Sequence, residues 1–304
     1  MDDPWTRHMR RGEWEQAWQV GDAGLPARAA RPCHHLPRHL QYVWTGAPLE
    51  GRRVLVRCYH GLGDTLQFIR YVPLLAQRAA EVAVWAQPGL LPLLAQVPGI
   101  DRLLPLHDGD AEVDYDVDVE LMELAHVFRS TPDDLPGRVP YLHAEPHGLP
   151  GPDVRPRIGL VWRGGDWNPA RSMDFRQIAP LAGLPGVRAL IVQPQARDAG
   201  WDGCTGEYPG EFGIPAYASV LSALDLLVTI DSMPAHLGGA LGVPTWVLLH
   251  HEPDWRWMEG RDDSPWYPGM RLFRQRAAGD WAGVVDQVMA ALAAHGFASP
   301  HSRA

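Results

Sequence analysis

The chain contains no lysine; its 27 basic residues are all arginine. Chemistry that needs an ε-amino group is excluded, a lysine-bound pyridoxal cofactor included. Cysteine is scarce too. Cys33, Cys58 and Cys204 are odd in number and far apart, which excludes a disulfide framework and fits a reducing compartment. No apolar run approaches the roughly 20 residues of a membrane-spanning helix. The start, Met1-Asp2-Asp3-Pro4-Trp5, lacks a signal peptide's apolar core. These absences point to a cytoplasmic protein without a transmembrane segment. Positive charge is also in short supply. The net charge of −9 argues against nucleic acid as a partner.

At 304 residues, 46% of them hydrophobic, the chain has room for two ordinary soluble domains. Residues 1–48 read as a helical extension, with Trp14 and Trp18 one turn apart on a single face. Half of a tetratricopeptide-type hairpin has this form, but one unit is not a repeat array. From Arg53 an α/β rhythm begins. Strands are expected at 54–56, 82–85, 102–104 and 115–119, with a helix carrying Leu66, Ile69 and Val72 and another at 88–96. Residues 132–156 are crowded with proline and glycine and read as a linker. The rhythm then restarts, with strands at 158–162, 187–192, 226–230 and 246–249 and helices at 175–184 and 216–224. It ends in an amphipathic helix at 281–294 whose apolar face holds Val284, Val285, Val288 and Leu292. Such alternation implies parallel sheets and an α/β class. The expected domains are 1–48, 49–150 and 151–304.

Two stretches carry the chemistry. Asp231-Ser232-Met233-Pro234-Ala235-His236 follows an apolar run and opens a short helix, with Ser232 placed to cap it and Pro234 in its first turn. A helix start beyond a parallel strand offers N–H groups to an anion. Gly238-Gly239 lets that helix lie close to the sheet or to a ligand. In the other half, Gly61-Leu62-Gly63-Asp64 repeats the strand, turn and helix order. Two such turns on two α/β halves point to an enzyme that handles a phosphorylated ligand.

These residues resemble glycosyltransferase family 9, the heptosyltransferase-like group with GT-B architecture, two facing Rossmann-like domains. The branch fused behind tetratricopeptide repeats is the most similar. The resemblance rests on the stretch from Gly61 to Phe68, on Gly159-Leu160-Val161-Trp162, on Asp231 to Thr245, and on Pro253-Asp254-Trp255-Arg256-Trp257 with Asp262 to Pro268. It implies an inverting, metal-independent transfer of a sugar from a nucleotide-diphosphate donor to a glycan, lipid or protein acceptor, with no cofactor. Asp64 falls at the family's acidic base. The acceptor belongs to the first domain, with Gly61, Gly63, Gln67, Glu120 and Glu123 as candidates. The donor belongs to the second, at Trp162, Arg163, Gly164, Asp231, Ser232, Met233, Pro234, Ala235 and His236. The chain departs from the family twice. Arg171 stands in the neighbourhood of a basic residue that is often lysine, and Gln193-Pro194 replaces a Gln-Lys pair. A binding module that has lost turnover is therefore the alternative.

Each residue also has a plainer reading. Asp64 can take an acceptor proton or merely cap its helix. His236 can donate to a phosphate or sit satisfied in the core. Arg163 and Arg171 can hold phosphate or face solvent. Trp255, Trp257 and Trp266 can pack the donor base or, more simply, pack the protein. No metal site is expected: Asp114, Asp116 and Asp118 read as edge-strand charge, and Cys33-His34-His35 with His39 does not match a structural zinc spacing.

Overall fold

The computed structural model describes residues 3–147 and 155–295. The chain forms two compact units, one of Met1–His143 with Asp254–Gly260 and the other of Ala144–Pro253 with Arg261–Ala304. The expected boundary after residue 150 lies outside the described residues, as do Gly148, Pro150, Gly151 and Pro152 of the expected linker.

The first unit is built on four parallel strands: β1 (Arg53–Arg57), β2 (Glu81–Ala86), β3 (Arg102–Pro105) and β4 (Val117–Glu120), in the order β3-β2-β1-β4. β1 and β2 are nearly continuous apolar runs, as a sheet covered on both faces requires. The chain leaves β1 toward β2 on one side and returns to pair β4 on the other, so the strand order reverses between β1 and β4.

The N-terminal helices, Pro4–Arg10 and Trp14–Ala30, belong to this unit. Asp3 caps the first by accepting from the Thr6 amide at 3.2 Å. Trp14 and Trp18 share a buried face, as their spacing implies. The Trp18 indole donates to the Ser130 carbonyl at 2.8 Å and stacks on His126. Segment Asp254–Gly260 joins the same unit, whereas the sequence placed it in the second domain. Its anchors are local. Trp255 meets Trp5 edge-on at 5.2 Å, and the Glu259 amide donates to the Arg10 carbonyl at 2.8 Å.

The second unit has five parallel strands: β5 (Arg157–Leu160), β6 (Arg188–Ile191), β7 (Leu226–Ile230), β8 (Thr245–Leu249) and β9 (Met270–Arg274), in the order β6-β5-β7-β8-β9. β9 was not expected, because its apolar positions are interrupted by Arg271 and Arg274; register against β8 reveals it. Val284, Val285, Val288 and Leu292 of the last helix are buried in this unit's core. The helix after β7, Met233–Leu241, lies tight against its surroundings. A Cβ on Gly238 would meet Leu227 at 2.9 Å, and one on Gly239 the Tyr267 ring at 2.5 Å. The glycine pair thus serves packing. Gly242 closes the helix at φ 76°, in the left-handed region that suits glycine.

Candidate functional site

In open parallel sheets, ligands collect at the carboxyl ends of the strands where strand order reverses. Each unit has one such point, and the candidate residues fall at both.

In the first unit, β1 ends at Arg57, whose register partner on β4 is Glu120. The loop Cys58-Tyr59-His60-Gly61 then leads into the Leu62–Phe68 helix, with Gly61 as its cap position and Gly63 in its first turn. Asp64 is the third residue of this helix, and its side chain reaches back to the cap position. Its Oδ2 accepts from the Gly61 amide at 2.8 Å, and its Oδ1 accepts from the Arg256 guanidinium at 2.8 Å. Asp64 is thus not the cap residue expected of a helix from Thr65; it satisfies the amide of the cap residue Gly61 from within the first turn, and an ion pair holds its second oxygen. Arg256 is buried and also lies 3.3 Å from Asp254. Sequence reasoning noted the tryptophans flanking Arg256 and missed Arg256 itself; its partner lies 192 positions away, beyond any local pattern.

Glu120 and Glu123 sit beside this turn. Glu120 is 1% exposed and accepts from the Met122 amide at 2.9 Å. Glu123 accepts from the amides of Glu120 at 2.9 Å and Trp44 at 3.1 Å, and from Arg28 at 2.6 Å. Burial pushes the Glu120 carboxyl well above the usual range, and the neighbouring Glu123 charge adds to this. Burial likewise lifts Glu123 to about 7, against the hydrogen bonds and Arg28 that favour its charged form. His60, which the sequence reading passed over, places Nε2 3.8 Å from Glu120 Oε2. Burial holds the imidazole below its ordinary value, while the Asp64 charge works the other way. Gln67 is fully buried, and its carboxamide has no hydrogen-bond partner among the described residues; nothing in the structure explains that. Next to these groups a cavity of about 230 Å³ is lined by Trp5, Trp18, Tyr42, Trp255, Glu123 and His126. Two of these walls come from the N-terminal helices.

The acidic run has other partners. Asp116 pairs with Arg53 at 2.8 Å, and Asp118 takes Arg57 at 2.7 Å and His34 at 2.9 Å. Cys33 donates to the Tyr42 carbonyl.

In the second unit, the order reverses between β5 and β7. A cavity of about 370 Å³ opens there, lined by Arg163, Gly164, Gly165, Asp166, Gln193 and residues that include Ser232, Met233 and Pro234. Its floor is fixed by Gln193. The Gln193 Oε1 accepts from the amides of Trp162 at 3.0 Å and Arg163 at 2.9 Å, and its Nε2 donates to the carbonyls of Arg163 and Pro194. Arg163 is half exposed at the rim, 3.6 Å from Asp166. Ser232 occupies the cap position of the helix, but its hydroxyl makes no capping bond and donates weakly to the Ile230 carbonyl at 3.4 Å. The Ala235 amide donates to the Ser232 carbonyl at 3.0 Å, and Pro234 has no N–H. The anion-binding potential of this start therefore narrows to the Met233 amide and the Ser232 hydroxyl.

Several expected donor residues lie outside the cavity lining. Trp162 is buried in the core, 5.0 Å from the Phe175 ring, and its indole donates to the Ala199 carbonyl at 2.8 Å. Asp231 and Ala235 are buried. His236 is buried with Nδ1 3.1 Å from the Tyr267 hydroxyl, which is its plainer, core reading. Arg171 is buried as well, and donates to the carbonyls of Asp231 at 2.9 Å and Gly165 at 3.4 Å. It ties together the chain ends that leave β5 and β7. Trp255 and Trp257 belong to the first unit, and Trp266 is buried in the second.

No protein-family profile matches the chain. Protein FlbA of Caulobacter vibrioides is 22% identical over 329 residues, covering 92% of this chain and 52% of FlbA; the chain spans about half the length of that relative. Among solved structures, a glycosyltransferase of family 9 from Veillonella parvula superposes with a TM-score of 0.57 at 16% identity, over 82% of this chain and 98% of that one. The ADP-heptose lipopolysaccharide heptosyltransferase II of E. coli gives 0.55 at 16% identity, over 80% and 99%. Among the described residues, no helix is long and apolar enough to cross a membrane. The likeness to these structures establishes the fold: the chain has the α/β, GT-B architecture of two parallel-sheet units.

Proposed function

We propose that the chain transfers a sugar from a nucleotide-diphosphate donor to an acceptor hydroxyl, with inversion and without a metal ion or other cofactor. The observation that carries this reading is the cavity at the β5/β7 reversal. A helix start and a glycine loop line it together, an arrangement that suits phosphate. The names of the structural neighbours, an ADP-heptose heptosyltransferase among them, support the same donor class. In the transfer, the acceptor oxygen bonds to the anomeric carbon as the bond from that carbon to the diphosphate oxygen breaks. The electron pair leaves with the diphosphate, and the acceptor proton passes to Asp64. Its Oδ2 accepts from the Gly61 amide and its Oδ1 from Arg256. The two hydrogen bonds hold the carboxylate in one orientation, which is what a general base needs. The Met233 amide and Ser232 hydroxyl meet charge that develops on the departing phosphate.

A second reading has its own observation. Of the cavity's lining side chains, Arg163 is offset by Asp166 and Asp198, so little positive charge faces a diphosphate. That balance favours a nucleotide- or protein-binding module with weak turnover or none. Incubation with a panel of nucleotide sugars, scored for nucleoside diphosphate release, separates the two. Release with any donor supports transfer, and nucleotide binding without release on the whole panel supports the module. Acceptor identity follows from the product.

A further inference from the structure

The most exposed large apolar side chain among the described residues is Trp167, at 73%. It stands on the loop after β5, two positions beyond Gly165, which lines the donor cavity; a Cβ on Gly165 would lie 3.9 Å from the Trp167 ring. A lone exposed ring is ordinary on a protein surface; the packing behind this one is what sets it apart. The ring is not loose. The Arg171 guanidinium lies beneath it, 4.0 Å from the ring centroid. Arg171 is itself buried and bonded to the carbonyls of Asp231 and Gly165, one from each strand end at the β5/β7 reversal. One face of the indole is therefore backed by a cation fixed to the cavity's own framework, and much of the ring is open to solvent. This is the construction of a stacking platform, and it gives Arg171 a role other than the phosphate contact expected from sequence.

We infer that Trp167 is the stacking surface for the nucleobase of the donor, held in place by Arg171 as a positioning residue. The inference rests on the nucleotide-sugar reading and names the part of the ligand that this loop recognises. Stacking suits any base, because every base has a π face, and a cation behind the indole adds to the contact. The geometry thus selects a nucleoside over a bare phosphate compound.

Calorimetric titration of the full chain with ADP, UDP, GDP, dTDP and inorganic pyrophosphate tests this on the wild type, Trp167→Ala and Trp167→Phe. An exposed side chain leaves the fold intact when shortened. Loss of one base–aromatic stack weakens binding by about tenfold. Trp167→Ala is expected to lose that factor for ADP and to bind pyrophosphate within about twofold of wild type; Trp167→Phe is expected to recover most of the ADP affinity. Unchanged ADP affinity in Trp167→Ala overturns the inference, as does an equal loss for ADP and pyrophosphate. A wild type that binds none of ADP, UDP, GDP and dTDP overturns the nucleotide reading itself and the inference with it.

Discussion

The two units carry the same device, a glycine-bearing turn at a reversal of strand order, and furnish it with opposite chemistry. The β1/β4 point is dense with ionisable groups: Asp64, Glu120, Glu123 and His60, with Arg28 and Arg256 drawn in from elsewhere in the unit. The β5/β7 point is lined by a helix start and glycines, and its conspicuous arginine, Arg171, is engaged by backbone carbonyls. Topology fixes where a ligand can sit, and the side chains after the strands decide what happens there. A crevice rich in carboxylates is suited to proton transfer; one that opens on a helix start is suited to holding an anion.

The sharpest way to break this comparison is Asp64→Asn. Loss of a general base typically lowers the rate by about a hundredfold to ten-thousandfold. Turnover on a working donor and acceptor pair is expected to fall in that range while nucleotide affinity, set in the other unit, stays within about twofold of wild type. Asparagine has one acceptor oxygen for these two donors, so thermal unfolding of the variant is measured beside turnover, and an unchanged midpoint separates loss of the base from loss of the bond to Gly61 or Arg256. Full turnover in the variant would remove the base role and leave the cap.

Two substitutions in the second unit sharpen the other side. Gly239→Ala tests packing: its Cβ would strike the Tyr267 ring at 2.5 Å, and overpacking of this kind destabilises by about 1–3 kcal/mol. Denaturant unfolding that shows no loss would mean that the helix shifts freely over the sheet. Met233→Pro tests anion binding. Proline is tolerated at the first position of a helix, and Ser232 before it is already extended, at φ −160° and ψ 178°. The variant keeps the helix and removes one amide. About tenfold weaker binding of ADP, with a smaller loss for AMP, is expected in titration; equal losses would show that the Met233 amide does not meet the second phosphate. His236→Ala serves as the control, because its ring is turned to Tyr267 and favours neither ligand.

Much of the fold was legible because its strands are buried on both faces and read as apolar runs between breakers, as at 54–56 and 226–230. β9 escaped because arginines interrupt its run. The positions of the candidate residues were legible where the turns that carry them are local in sequence. Asp64 announced itself through the glycines before it, and Ser232 through the strand behind it. Arg256 and Arg28 were not legible, since each meets its carboxylate across a long stretch of chain. His236 misled for the same reason: its partner, Tyr267, is 31 positions away, so only the helix start was in view. The capping bond expected of Ser232 failed because cap propensity records an average preference, and here the hydroxyl turns to Ile230.

The smallest expected effect concerns the buried carboxylates of the first unit. Glu123 is raised to about 7 in the folded protein, chiefly by burial, against about 4.3 in an unfolded chain. Between these values the folded state retains a proton that the unfolded state has released. The unfolded state binds fewer protons, so stability falls as pH rises through this window and levels off above it. Glu120, also raised, adds to the same slope. His60, lowered by burial, opposes it: below about pH 6.5 the unfolded histidine takes up a proton that the folded one resists, so its contribution to stability grows as pH rises. The carboxylates act over the wider range, and a net loss of stability from pH 5 to pH 7 is expected from this cluster. Glu123→Gln cannot ionise and should flatten the decline even if it lowers stability at every pH by disturbing the bonds to Trp44 and Glu120. Thermal unfolding of wild type and variant across that interval measures the difference in slope. Parallel pH profiles would show that Glu123 is ionised throughout in the folded protein and that Arg28 and the two amides, at 2.6 to 3.1 Å, outweigh its burial.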